Sequence, residues 1–478
     1  MSDQRSAEKP LEPGRTSYDF EPPEALVDFM SSGWIDRPVA REVHPEAARF
    51  AQRRETLAEA YPGTYLILPA GCDHVRANDT FFRFRPSSDF AYLTGGGEPR
   101  AVLVLEPLGA RHRSLLFVPE HNRGKAEFFT DRVHGELWVG RHRGVEESRA
   151  YYGVDECRPL QALMPYLEEL RDAKHSRRLS RSHDDEIDRL FEAGSGDDEF
   201  AEHLSEMRLI KDDYELAELR RACAISKLGF EDVIRVMHGA KTEREIEAAF
   251  WSRARIDAND TGYLTIAAAG DHACTLHWTR NDGALRSDAL LLLDAGVECN
   301  SLYTADITRT LPISGRFSSE QRHIYELVWE AQRAGIEAVV AGNEFLEPNR
   351  RAIRVLAEGL IDLGILKGSL DEALDPDRLF HRRYTLHGVS HMLGLDVHDC
   401  ANARVQEYRY GTLREGMVLT VEPGLYFQPD DATVPERFRG IGVRIEDDVA
   451  VTASGPENLS ASLPSRADAV EGWIAALR

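Results

Sequence analysis

Four acidic residues stand at the ends of short apolar runs, so the chain must fold with buried strands that deliver negative charge into its interior. The run at 289–293 is one alanine and four leucines; it delivers Asp294, and Ala295-Gly296 follows as a turn. A reversal near residues 298–301 would return a second segment, 303–311, with Asp306, Thr308 and Thr310 on one face, so that Asp294 and Asp306 could point into the same space. Glu422 ends the run Met417-Val418-Leu419-Thr420-Val421 and precedes Pro423-Gly424. Glu446 closes Gly442-Val443-Arg444-Ile445-Glu446, where strand alternation places Arg444 and Glu446 on the same side. Taken singly, each acid reads as an ordinary strand-end or turn residue. Four of them, each attached to a strand-like segment, ask for a common explanation.

Histidines supply a second pattern. His387, His391 and His398 fall within one stretch of glycine and apolar residues ending at Asp399, which suggests a lined cavity, and His277 stands in Thr275-Leu276-His277-Trp278-Thr279. Four buried carboxylates would be pushed toward their neutral forms by desolvation and mutual repulsion, whereas two divalent cations would balance them. Oxygen ligands with one imidazole favour manganese, cobalt or another fairly hard divalent ion over a thiolate-type zinc site. Two such ions about 3.5 Å apart hold a bridging hydroxide and polarise a carbonyl. A Gly-x-Ser-x-Gly elbow, a phosphate-binding Walker loop and a His-Glu-x-x-His helix are all missing from the sequence.

The frame for this chemistry follows from length and composition. A chain of 478 residues suggests two domains, and 42% hydrophobic with 29% charged residues is the balance of a globular protein. A formal charge of −23 disfavours nucleic acid and anionic membranes as partners, and the basic tract around Lys174 and Arg178 soon meets Asp184, Asp185 and Glu186. Six scattered cysteines without a Cys-x-x-Cys pair suit a reducing compartment, and the start of the chain lacks the apolar core of a signal peptide, so a cytoplasmic location is expected. Residues 1–40 read as an extension, partly disordered, with Phe29, Met30, Trp34 and Ile35 as a small apolar cluster. Residues 41–200 alternate strands (65–68, 101–105, 115–119) with helices (46–61, 160–170), the pattern of an α/β domain. The polar stretch 192–199 is expected to be a linker. Residues 201–478 begin with a long amphipathic helix at 213–237; Ser318 and Gln321 form a capping-box pattern before another, and a third is expected at 350–363.

Five segments together carry a resemblance: 293–296 around Asp294, 305–310 around Asp306, 387–399, 421–424 around Glu422, and 444–447 around Glu446. They resemble the metal-site signature of the Xaa-Pro aminopeptidases (aminopeptidase P) of the pita-bread metallopeptidase family, in order over roughly residues 205–460. The segment Arg83 to Gly95 is similar to the N-terminal domain of the family's bacterial branch. The resemblance implies an α/β N-terminal domain and an α+β pita-bread catalytic domain, in which helices cover a curved antiparallel sheet. It implies Asp294, Asp306, His391, Glu422 and Glu446 as ligands of two divalent ions, manganese first, then cobalt or zinc, with Asp306 and Glu446 bridging. His277, His387, His398, Glu422 and Arg444 become the catalytic set, acting on peptides that begin Xaa-Pro through a metal-bridged hydroxide. A homodimer or homotetramer is expected. The alternatives are a prolidase, which cuts only Xaa-Pro dipeptides, and a non-catalytic pita-bread binding protein.

Overall fold

A computed structural model describes residues 22–35, 38–40 and 42–478. Its chain divides into two units, 1–201 and 202–478. In the first, β1 (Tyr65–Pro69), β2 (Val102–Leu108), β3 (Arg111–Val118), β4 (Glu156–Pro159) and β5 (Arg177–Leu179) form one mixed sheet in the order β4-β3-β2-β1-β5. The β1–β2 and β2–β3 pairs are antiparallel, whereas β3–β4 and β1–β5 are parallel. Ile67, Val104, Leu115 and Phe117 pack with Leu163, Leu167 and Leu170 of the helix Leu163–Asp172. Leu66, Leu68, Leu103 and Leu116, which alternate with them, are equally buried, so both faces of the sheet are covered. The apolar runs of the sequence are continuous for that reason.

Two expectations for this unit need correction. The stretch 192–199 is not an extended linker, because the helix Ser195–Met207 begins inside it. Asp197 and Asp198 occupy its first turn, where the helix dipole favours acids, and the Asp197 carboxylate accepts from the Leu179 N–H and Arg181 Nε. Nor do the four apolar residues near position 30 make one cluster: Trp34 meets the Phe128 ring edge-on at 5.2 Å, while Phe29 and Ile35 are exposed. The expected disorder of residues 1–21 lies outside the described residues.

The second unit carries α1 (Asp213–Met237), α2 (Glu243–Asp257), α3 (Ser319–Glu337), α4 (Glu347–Asp362) and α5 (Ala467–Leu477). Ser318 caps α3 as the sequence suggests: its hydroxyl accepts the Gln321 N–H, and the Gln321 side chain accepts the Ser318 N–H at 2.9 Å. Ile324, Val328 and Ala331 then face the core. These helices surround antiparallel sheet pieces. One has the order β8-β7-β6, from β6 (Ile266–Ala269), β7 (Leu290–Asp294) and β8 (Thr308–Pro312). Another pairs β9 (Val418–Val421) with the later β12 (Asp447–Thr452), and β10 (Gly424–Tyr426) pairs with β11 (Gly442–Arg444). The register sets Asp294 opposite Thr308. Gly296 permits this close return, since a Cβ there would lie 1.7 Å from the Ala305 carbonyl oxygen.

Residues 442–446 are not one continuous strand. β11 stops at Arg444, and Ile445 and Glu446 form the step into β12; the Glu446 N–H donates to the Thr308 carbonyl at 3.1 Å. Strand edges therefore break where the acids stand. No helix among the described residues is long and apolar enough to cross a membrane.

Candidate metal centre

Asp294, Asp306, His391, Glu422 and Glu446 all line one cavity of about 800 Å³, together with His277, His387, His398 and Arg444. Each acid comes from a strand end: Asp294 closes β7, Asp306 leads into β8, Glu422 follows β9 and Glu446 precedes β12. Asp306 and His391 approach at 3.3 Å, and His391 Nε2 lies 3.5 Å from Glu422. The other His391 nitrogen, Nδ1, is 3.1 Å from the Met392 carbonyl, which in the Nδ1–H tautomer leaves the Nε2 lone pair available to a metal ion. Ligand atoms of Asp306, His391 and Glu446 lie within 4.8 Å of one another.

Neighbouring donors fix the acids. Tyr263 donates its hydroxyl to Asp294 at 2.6 Å, Thr308 donates to Glu446 at 2.6 Å, and the Asp306 N–H reaches the Asp448 carboxylate at 3.1 Å. Arg444 pairs with Asp294 and donates to Thr308 Oγ1 at 3.1 Å and to the Tyr426 hydroxyl at 3.0 Å. The same hydroxyl lies 2.7 Å from His387 Nε2. The His391 and His398 rings meet edge to face at 4.3 Å.

The electrostatics of these side chains state what the site lacks in positive charge. Burial, reinforced by Asp306, Glu422 and Asp294, pushes the Glu446 carboxyl well above the usual carboxylate range. Burial likewise raises Asp294, against the Arg444 charge, and takes Glu422 up to about 7. Asp306 is the exception: burial works against its charge, but contact with His391 holds it low. His391 in turn is raised to about 9, since Asp306 and Glu422 outweigh its burial. Burial and the Arg444 guanidinium lower His387 to about 4. Divalent cations fit this donor set, because they would keep four enclosed carboxylates ionised where one arginine and one imidazole do not suffice.

Sequence reasoning placed the acids, histidines and Arg444 but missed Tyr263 and Tyr426. Tyr426 stands two residues beyond Gly424, so strand alternation from the Glu422 segment offered a signal. Tyr263 offered none, since a tyrosine between Gly262 and Leu264 reads as a packing residue.

Comparison with known proteins fits this geometry. Residues 217–453 match metallopeptidase family M24, and residues 50–179 match the aminopeptidase P N-terminal domain. The chain is 48% identical over 461 residues to Xaa-Pro aminopeptidase 1 of Streptomyces coelicolor, covering 95% of this chain and 92% of that one. The chain belongs to the aminopeptidase P branch of family M24. Within this M24 branch the Xaa-Pro aminopeptidase of Escherichia coli is 36% identical over 447 residues, covering 90% and 98% of the two chains. The structure of aminopeptidase P from E. coli with the inhibitor Pro-Leu superposes with a TM-score of 0.81 at 32% identity, over 91% of this chain and 99% of that one. A zinc-substituted form of the E. coli enzyme in complex with product matches with the same score. The second unit of this M24 member is accordingly a pita-bread catalytic domain, and the family is one of hydrolases that depend on divalent metal ions.

Proposed function

We propose that the chain is a two-metal Xaa-Pro aminopeptidase, releasing the first residue of peptides whose second residue is proline. The observation that carries this reading is the convergence of Asp294, Asp306, His391, Glu422 and Glu446 on one cavity of about 800 Å³, room enough for a short peptide. These five would hold the ions in this reading, with Asp306 and Glu446 serving both. Manganese suits the oxygen-rich set best, with cobalt or zinc as other occupants. Ions bound there would supply Lewis acidity to the scissile carbonyl and lower the pKa of water.

The chain's own residues do the rest. Glu422 is the least enclosed of the four acids and lies 3.4 Å from His387 Nδ1, so it is placed to take a proton from the attacking water and hand it on. Cleavage before proline expels a secondary amine, which needs that proton. Arg444, held by Asp294 and Tyr426, keeps the wall behind Asp294 rigid. His277, His387 and His398 line the same cavity and would hold the scissile carbonyl oxygen as negative charge develops on it. Proline has no N–H, so the surrounding apolar wall of Ile266, Leu276 and Phe345 recognises its ring by shape. A homodimer or homotetramer and a cytoplasmic setting complete the proposal; the latter is supported by six unpaired cysteines.

The test is release of arginine from Arg-Pro-Pro by purified protein titrated with manganese, beside an Xaa-Pro dipeptide. Release from the tripeptide is expected. Cleavage of the dipeptide alone would make the protein a prolidase, and no release from any Xaa-Pro peptide by metal-loaded protein would overturn the reading.

A further inference from the structure

Glu243 is the first residue of α2 and is fully buried, yet it belongs to none of the groups described above. Four nitrogens converge on its two oxygens, three as N–H donors and His272 Nδ1 as the fourth in its Nδ1–H tautomer. Oε1 lies 2.7 Å from the Ala269 N–H and 2.8 Å from His272 Nδ1; Oε2 lies 2.8 Å from Trp278 Nε1 and 2.7 Å from the Gly283 N–H. The Glu243 N–H returns a bond to the Gly283 carbonyl at 3.0 Å. All four donors come from residues 269–283, so one carboxylate gathers both ends and the middle of a single loop.

The loop is built to be gathered. Trp278 stacks on His272, centroids 3.8 Å apart and 25° from parallel, which presents both ring N–H groups to the same side. A Cβ at Gly283 would lie 2.5 Å from the His272 ring and 2.8 Å from Glu243 Oε2, so only glycine lets the main chain come this close. Asn281, left-handed at φ 47, clamps the same loop to β6: its side chain accepts the Ala267 N–H and donates to the Thr265 carbonyl, both at 2.9 Å. Between these clamps lie Leu276, His277 and Thr279, all facing the cavity. His277 is joined directly to Trp278, whose indole the Glu243 carboxylate holds.

We propose that Glu243 is a positioning residue for peptide hydrolysis: it holds the 269–283 loop closed through Trp278 and Gly283 and so aims His277 into the cavity. This rests on the Xaa-Pro aminopeptidase reading. A carboxylate is the side chain that can accept from four donors at once. An amide of the same size turns one end into a donor facing other donors, which opens the loop without leaving a void.

The experiment compares Glu243→Gln, His277→Ala and the double variant in kcat on Arg-Pro-Pro, with metal content and hydrogen exchange of residues 269–283 measured alongside. Glu243→Gln should lower kcat about 10- to 100-fold, the scale of a displaced catalytic group. It should leave metal content unchanged and speed exchange in the loop. In the His277→Ala background the same change should cost less than about 2-fold, because the two act as one unit. Effects that multiply, or a loop whose exchange does not move, would overturn the proposal. If Glu243→Gln does not fold, Trp278→Phe removes a single donor and should show a smaller loss with the same non-additivity. Inactivity of the unmodified protein on every Xaa-Pro peptide would instead strike the underlying reading, and the proposal with it; no variant enters that result.

Discussion

Asp306 is tied into the site from several sides: His391 stands 3.3 Å away, Glu446 shares its ligand cluster, and its N–H is tied to Asp448. Asp306→Asn keeps the shape and removes the charge. Since even outer partners of metal ligands are worth about 10- to 100-fold in affinity, the loss of a ligand proposed to serve both ions should cost more than ~100-fold in both metal binding and kcat. Elemental analysis of the dialysed variant and a peptide assay check this, and full metal content with full activity would contradict the assignment. His277→Ala should behave oppositely, with metal retained and kcat down by about 100-fold, the scale of one acid–base or oxyanion group. Such residues were visible in the sequence because a charge at the end of an apolar run is costly and asks for a reason. The tyrosines were not visible. A buried Tyr263 or Tyr426 is satisfied equally by packing, and only the folded register shows which carboxylate or guanidinium its hydroxyl meets.

Among elements, the segment bearing His391 and His398 is held from behind by Asp399, which is buried. It accepts from Arg208 Nε at 3.1 Å and Lys211 Nζ at 3.3 Å, tying the segment to the chain that enters α1. Burial opposes the Asp399 charge, but Lys211 and Arg208 outweigh it and hold the carboxyl below its usual value. A folded value below the unfolded one, about 3.9, means that this stabilisation is complete above that pH and fades as the pH falls through the folded value. Asp399→Asn should therefore lower unfolding stability by about 3 kcal/mol near pH 7, the cost of breaking a buried pair from one side. The gap between variant and parent should narrow below about pH 4, as urea titrations at stepped pH would show. A gap constant with pH would mean the charge is not what Asp399 contributes. Ser318→Ala is the milder comparison: loss of the α3 cap should cost about 1 kcal/mol with peptide cleavage unchanged. Local signals of this kind made α1 and α3 legible, since spacing and caps specify a helix from within. Ser195–Met207 was not legible, because its acidic, glycine-flanked start resembles a linker until Arg181 and the Leu179 N–H are seen to bind Asp197. The break at Ile445-Glu446 was hidden for a related reason: alternation is a property of one strand, and the step depends on Thr308 from another.

At the scale of the whole molecule, the five residues read as ligands lie between 294 and 446, all within the second unit, while the first unit has its own two-faced sheet core. Binding of ions to the folded state stabilises it by mass action, about 2.7 kcal/mol at a free concentration 100 times Kd. The strands that deliver the proposed ligands, β7, β8 and β9, would gain that stabilisation directly, since bound cations would offset the burial and repulsion that push Asp294 and Glu422 toward protonation. The two divalent ions proposed would offset only four charges of a chain at −23, so the benefit would be local and not a change in overall repulsion. Chelation should therefore speed amide exchange at residues 290–294, 308–312 and 418–421 and leave β1, β2 and β3 nearly as protected as before. The thermal transition should fall with chelator and recover with manganese. Equal deprotection of both units would mean that the cations support the chain as one cooperative body, and unchanged protection in the second unit would mean that its acids do not hold them.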